Sequence, residues 1–263
     1  MTDATRQPAV FVSHGSPMIV VEDSPAALFL KGLGGEIPRP SAILVATAHW
    51  ETAEPTVGGN AAPETIHDFR GFPKALYEKQ YPASGAPEVA ERAHALLTEG
   101  GFAAETDAAR GLDHGVWTPL MLAWPGAGIP VVPLSVQPHR GGAWHYRVGR
   151  ALAPLMEEGV LILGSGAATH DLSRWRGQPL DAEPEEDVQA FHDWLMVETQ
   201  ADDRLSLLGW QQEAPFAAEN HPTPEHFMPF FVALGAAHGR GPGRVLHHSI
   251  AHGVLSMAAF AWD

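Results

Sequence analysis

The chain has 263 residues, 45% of them hydrophobic and 18% charged, enough apolar content to bury a sizeable core and too much for a disordered chain. Its 16 Lys and Arg against 31 Asp and Glu leave a formal charge of −15, which argues against nucleic acid as a partner because no basic run offsets it. The absence of cysteine excludes disulfides, thiolate metal sites and cysteine nucleophiles.

The opening stretch MTDATRQPAV lacks the basic and then apolar pattern of a signal peptide, and no apolar run reaches the about 20 residues of a bilayer span. The expectation is a cytoplasmic protein without a membrane partner, a monomer or small homo-oligomer. Strand-length apolar runs come first, at 9–13 (AVFVS) and 42–48 (AILVATA). An amphipathic helix follows over 86–100, and His114 in GLDHGVWTPL opens another. IPVVPLSV (129–136) predicts a third strand, 141–159 a helix, and GVLILGS (159–165) a fourth strand. The segment 183–200 begins with Pro184 among acids, a good helix start, and 223–239 begins with Thr223 as cap and Pro224 in the first turn. The runs 244–250 and 253–262 predict late strands. Strands alternating with helices imply an α/β fold, a mainly parallel sheet with helices on its faces. No repeat or composition shift divides the chain, so residues 1–263 are expected to form one domain.

Two glycine-rich stretches, 32–35 (GLGG) and 164–168 (GSGAA), match neither a dinucleotide fingerprint nor a phosphate-binding loop. Gly164 and Gly166 are expected instead to let the backbone pass close to a bound group. SHGSP lacks the G-x-S-x-G elbow of a serine hydrolase.

The histidines carry more information. In open α/β sheets, ligands bind beyond the carboxyl ends of the strands. His14, His49 and His170 each follow a predicted strand directly or after a short loop, and His226 lies in the first turn of the helix after HPTPEHF. Imidazole is a common metal ligand, so the group predicts a shared site. Among His14, His49, His170 and His226 no H-x-x-x-H spacing supplies a local signature, so ligands drawn from them must come from distant segments. His67 with its neighbour Asp68 is explained about as well by a local hydrogen bond as by function, while His94, His139, His145, His192 and His238 fall on predicted helix faces or loops, where a solvated role is expected.

Six stretches in the same order, FVSHGSPM, SAILVATAHWET, TIHDFRGFPKALYEKQYPASGAP, GLDHGVWTPL, LILGSGAATHDL and HPTPEHFMPFFVALGAA, resemble the class III extradiol ring-cleavage dioxygenases of the LigB superfamily, in particular the 4,5-DOPA-dioxygenase-like branch. The resemblance runs from about residue 9 to 259. It implies one α/β domain around a mixed sheet, with the active site at the carboxyl ends of the strands. By matching position it implies His14, His49 and His226 as metal ligands and His170 as a catalytic acid/base. It also implies His114 as a pocket residue contacting substrate or oxygen. Whether His170 also reaches the metal stays open.

The resemblance implies insertion of both atoms of dioxygen into a catechol. The wider superfamily holds Fe(II) with two histidines and a glutamate, whereas this sequence places His226 at the third position beside Glu225. Fe(II) is expected for activity, with Zn(II) possible on an all-imidazole set. Trp50 and Phe227, and with them Phe69, Phe72 and Trp117, are candidates to line a pocket for a flat ring, ordinary packing being the competing explanation. Two other functions compete: a zinc hydrolase on the same histidines, and a non-enzymatic binding protein of the same fold.

Overall fold

In a computed structural model, which describes residues 5–263, side-chain alternation along the strands sets the architecture. The strands are β1 (Ala9–Ser13), β2 (Ala42–Glu51), β3 (Thr56–Gly58), β4 (Glu105–Asp107), β5 (Val131–Val136), β6 (Val160–Gly166), β7 (Arg244–His247), β8 (Ile250–Ala251), β9 (Leu255–Ser256) and β10 (Ala259–Trp262). Eight of them form one sheet in the order β4-β3-β5-β2-β6-β1-β10-β7. The inner strands β5, β2, β6 and β1 are parallel, while β3 joins β5, β10 joins β1 and β7 joins β10 antiparallel. The sheet is therefore mixed and mainly parallel, as the sequence predicts.

Both faces are buried, which is why the central strands are continuous apolar runs rather than alternating ones. Phe11, Leu44 and Ala46 face one layer, packed against the helices Pro87–Glu99, Gly141–Leu152 and Met228–Ala236. Val10, Val12, Ile43 and Val45 face the other, packed against Pro25–Glu36 and His114–Ala123. The helix Pro25–Glu36 is not anticipated from sequence, because Gly32, Gly34 and Gly35 lower its propensity. It forms because Ser24 Oγ accepts from Ala27 N, Pro25 suits the first turn, and Ala26, Ala27, Leu30 and Leu33 are buried.

Other boundaries differ from expectation for local reasons. The helix predicted over 141–159 stops at Leu152, and Pro154, which has no N–H to continue the ladder, begins a separate turn. The one predicted over 223–239 opens as a 3-10 turn, Glu225–Phe227, before Met228–Ala236. The late strand predicted over 253–262 splits: β9 pairs with β8 in a separate ribbon, and β10 enters the main sheet. Among the described residues no helix is long and apolar enough to cross a membrane.

Gly164 and Gly166 do not face a bound group. A Cβ on Gly166 would lie 2.0 Å from His226 O, and one on Gly164 2.2 Å from Pro229 O. These glycines let the segment carrying His226 press its backbone onto β6. The same device joins two helices, since a Cβ on Gly149 would meet Val232 O at 2.0 Å. Gly149→Ala, far from the strand ends, is expected to destabilise the fold by about 1–3 kcal/mol through forced backbone separation. Denaturant unfolding checks this, and an unchanged midpoint would count against the packing described.

Candidate metal centre

Strand register brings the first two histidines together. Ser165 of β6 pairs with Val12 of β1 on one side and Thr47 of β2 on the other. His14 and His49 lie two residues beyond those partners, on the face set by the two-residue period. The third arrives from the opposite layer: the turn Glu225–Phe227 folds over the strand ends, held by a bond from Ala167 N to His226 O of 2.9 Å.

The three side chains meet at their Nε2 atoms. His49 Nε2 lies 3.1 Å from His14 Nε2 and 3.3 Å from His226 Nε2. The outer nitrogens of His14 and His226 are occupied. Ser165 Oγ donates to Gly115 O and so accepts from His14 Nδ1–H at 3.0 Å. His226 Nδ1–H donates to Glu225 Oε1 at 2.9 Å. Both Nε2 atoms therefore present lone pairs toward His49, which can place a proton between itself and only one of them. Two nitrogens bound at about 2.1 Å to one ion, at angles of about 90–110°, lie about 3.0–3.4 Å apart. The observed spacings fall in that range, so this donor set fits a divalent cation.

Burial and mutual repulsion keep these rings uncharged. His14 and His226 are held well below the ordinary value of 6.5, first by burial and then by neighbouring histidines. His49 is lowered to about 3, again by burial first and then by His114. Neutral imidazole is the form that ligates.

Two carboxylates orient this shell. Asp68 Oδ1 accepts from both His114 N and His114 Nδ1 at 2.9 Å, and Oδ2 lies 3.6 Å from His49 Nδ1. Burial pushes the Asp68 carboxyl up, but the His114 bonds outweigh it and bring it to about 2. Glu225 holds His226 and lies 3.9 Å from His170 Nδ1. His170 stacks on His226, with centroids 3.4 Å apart and planes 10° apart. Its pKa is lowered by burial, against the opposing pull of Glu225 and Asp171.

All five predicted site histidines line one cavity of about 410 Å³, together with Phe69 and Phe72. Trp50 and Phe227 do not line it. Trp50 follows His49 on a strand and so points to the other face, where the Arg110 guanidinium covers its ring at 4.8 Å. Arg110 in turn pairs with the buried Asp113 at 2.6 Å, and Thr47 Oγ1 donates to the same carboxylate at 2.7 Å. Phe227 is fully buried in an aromatic cluster with Phe191, Trp210 and Phe230. Trp117 is likewise core. Asp68 serves His114 and His49 rather than His67, whose Nε2 donates to Lys79 O. His145 and His192 are buried, not solvated: His145 bridges Gly141 O and Gln137 N, and His192 meets Ser256 Oγ.

Residues the sequence did not single out complete the wall, among them Glu22, Trp175 and His252. Trp175 lies just past the His170 motif, and its proximity was the one available signal.

His145 and His221, buried and lowered from 6.5 to about 4, make stability depend on acidity. The unfolded chain takes up their protons as pH falls through about 6.5, while the folded chain does so only near 4, so their contribution is intact above 6.5 and lost on descending toward 4. Urea midpoints measured from pH 7 to 4 should fall steadily across that window, and the fall should become shallower, without vanishing, when both histidines are replaced by Gln, because His14, His49 and His226 contribute in the same sense.

Over residues 8–261 the chain matches the family described as the catalytic LigB subunit of aromatic ring-opening dioxygenase. It is 44% identical over 255 residues to a Beta vulgaris protein named 4,5-DOPA dioxygenase extradiol, covering 95% of this chain and 94% of that one. An Escherichia coli (strain K12) protein of the same name is 38% identical over 264 residues, covering 97% and 94%. A crystal structure of an uncharacterized E. coli K12 protein superposes with a TM-score of 0.82 at 32% identity, over 98% of this chain and all of that one.

Proposed function

Because the chain belongs to the LigB family of aromatic ring-opening dioxygenases, we propose that it is an extradiol dioxygenase that opens a catechol ring beside its hydroxyl pair. Both atoms of one dioxygen enter the product, a ring-opened semialdehyde carboxylate. The observation that carries this reading is the convergence of the Nε2 atoms of His14, His49 and His226, with two further histidines in the same cavity.

His14, His49 and His226 would hold the ion. Fe(II), when bound there, supplies the one-electron chemistry that dioxygen requires and a positive charge that acidifies the adjacent phenol. The remaining work belongs to the chain. His170, its pKa lowered by burial, would accept a catechol hydroxyl proton and return it later as an acid. Its face is fixed against His226, so it cannot rotate away from the cavity without losing that contact. His114 donates through Nδ1 to Asp68, which leaves Nε2 as an acceptor toward substrate hydroxyl or oxygen. Phe69, whose ring meets His114 edge-on at 5.8 Å, and Phe72 beside it give the flat ring an apolar wall and exclude water.

The same three imidazoles also suit Zn(II), so the protein is first stripped with chelator, then loaded with Fe(II) anaerobically. Addition of simple catechols and air should consume oxygen and generate the yellow semialdehyde. No colour and no oxygen uptake across a broad catechol panel would refute the assignment, and hydrolysis of esters by the zinc form would favour a hydrolase.

The residue roles separate by variant. His170→Ala is expected to retain metal and lose about 10²–10⁴-fold in turnover, the usual contribution of a general acid/base. His226→Ala is expected to lose the metal. Metal analysis beside the rates decides the matter: an iron-free His170→Ala protein would make His170 a ligand.

A further inference from the structure

We infer that Asp113 is a positioning residue for the converging histidines: through Thr47 and Arg110 it grips the end of β2 on both sides of His49 and so holds that ring against His14; this rests on the reading of His49 as a metal ligand. Of the three rings, His49 alone has no close acceptor behind it among the described residues, since Asp68 Oδ2 stands 3.6 Å from its Nδ1. Its backbone is no better held by the sheet. The β2–β6 pairing ends at Thr47, and the β2–β5 register breaks between Ala46 and Glu51. Residues 48–50 therefore have no strand partner in the sheet, and the ring that the other two face needs another anchor.

The start of the helix His114–Ala123 supplies it. Asp113 occupies the N-cap position, where an aspartate ordinarily accepts from the first free N–H groups of the helix. Here it makes no such bond, and Asp68 Oδ1 accepts from His114 N instead. The fully buried Asp113 carboxylate is directed at β2. Its Oδ1 accepts from Thr47 Oγ1 at 2.7 Å, and Thr47 Oγ1 accepts from His49 N at 3.3 Å. Its Oδ2 holds Arg110 Nη2 at 2.6 Å, which lays the guanidinium over Trp50 at 4.8 Å. Thr47 and Trp50, on either side of His49, are thus tied to one carboxylate. Helix and strand approach so closely that a Cβ on Gly115 would lie 2.7 Å from Thr47 Oγ1 and 2.9 Å from His49 Cδ2. The same turn reaches His14, because Gly115 O accepts from Ser165 Oγ, which in turn accepts from His14 Nδ1. A buried ion pair adds little net stability, so this one is better explained by the register it imposes on the two rings.

The test measures the Zn(II) affinity of chelator-stripped protein by competition with a chromophoric chelator. Thr47→Val keeps the branched shape, removes the hydroxyl and should weaken Zn(II) binding about tenfold, the low end for loss of an outer partner. Thr47→Ser, which keeps the hydroxyl, should bind nearly as the wild type does. Asp113→Ala should lose at least as much as Thr47→Val, and combining the two should add nothing further, because both act through one contact. Gly149→Ala, destabilising but remote, should leave the affinity unchanged. Wild-type affinity in Thr47→Val would overturn the proposal, as would a loss that Thr47→Ser or Gly149→Ala shares. If Asp113→Ala does not fold, the two Thr47 variants decide alone. A wild type that binds no divalent ion would refute the ligand reading separately, and imidazole nitrogen resonances of the metal-free protein would then decide this one. His49 signals moved by Thr47→Val but not by Thr47→Ser support the positioning role, and signals unmoved by either refute it.

Discussion

Three imidazole nitrogens brought within 4.8 Å of one another in a buried setting impose a condition that much of the molecule is arranged to meet. Lone pairs facing one another repel, and burial forbids the easy remedy of protonation. The folded chain accepts this arrangement because two of the rings are fixed from behind, by Ser165 at His14 and by Glu225 at His226. The parallel register of β1, β6 and β2 sets two of the rings side by side. The third is delivered by a turn whose backbone lies so close to β6 that only glycine fits beneath it. The sheet, its glycines and the orienting acceptors form one device for holding nitrogen atoms that would otherwise separate.

The acids around the site divide the histidines into pairs. Asp68 binds His114 tightly and lies farther from His49, while Glu225 binds His226 and stands farther from His170. Each carboxylate thus reaches one ring of the converging set and one ring beside it. Such outer partners set the tautomer of a ligand and raise its basicity. They give rings of one residue type different surroundings within one cavity.

Much of the frame was legible in the chain. The central strands are buried on both faces and so appear as unbroken apolar runs, and the histidines at their ends stand out against them. What stayed hidden depended on tertiary contacts. β3 and β4 are three residues each, too short for any period to show. The helix Pro25–Glu36 is stabilised by packing that overrides its glycines, one of which is needed because a Cβ on Gly34 would lie 2.2 Å from Ala123 O. Trp50 and Phe227 adjoin the cavity-lining His49 and His226 in sequence, yet strand alternation sends one away and the aromatic core absorbs the other. Adjacency in sequence identified the neighbourhood, and backbone geometry chose the members. The link between Asp68 and His114 spans 46 positions, a distance over which no local pattern reports.

His49 lies 35 positions from His14 and 177 from His226. During synthesis the first two therefore emerge long before the last, and a growing chain carries only an incomplete pair until most of its length has left the ribosome. A pair of imidazoles on an unfinished sheet is a far weaker trap for a reactive ion than the closed set. The order of the residues along the polypeptide thus delays assembly of the complete nitrogen set until most of the chain has been made.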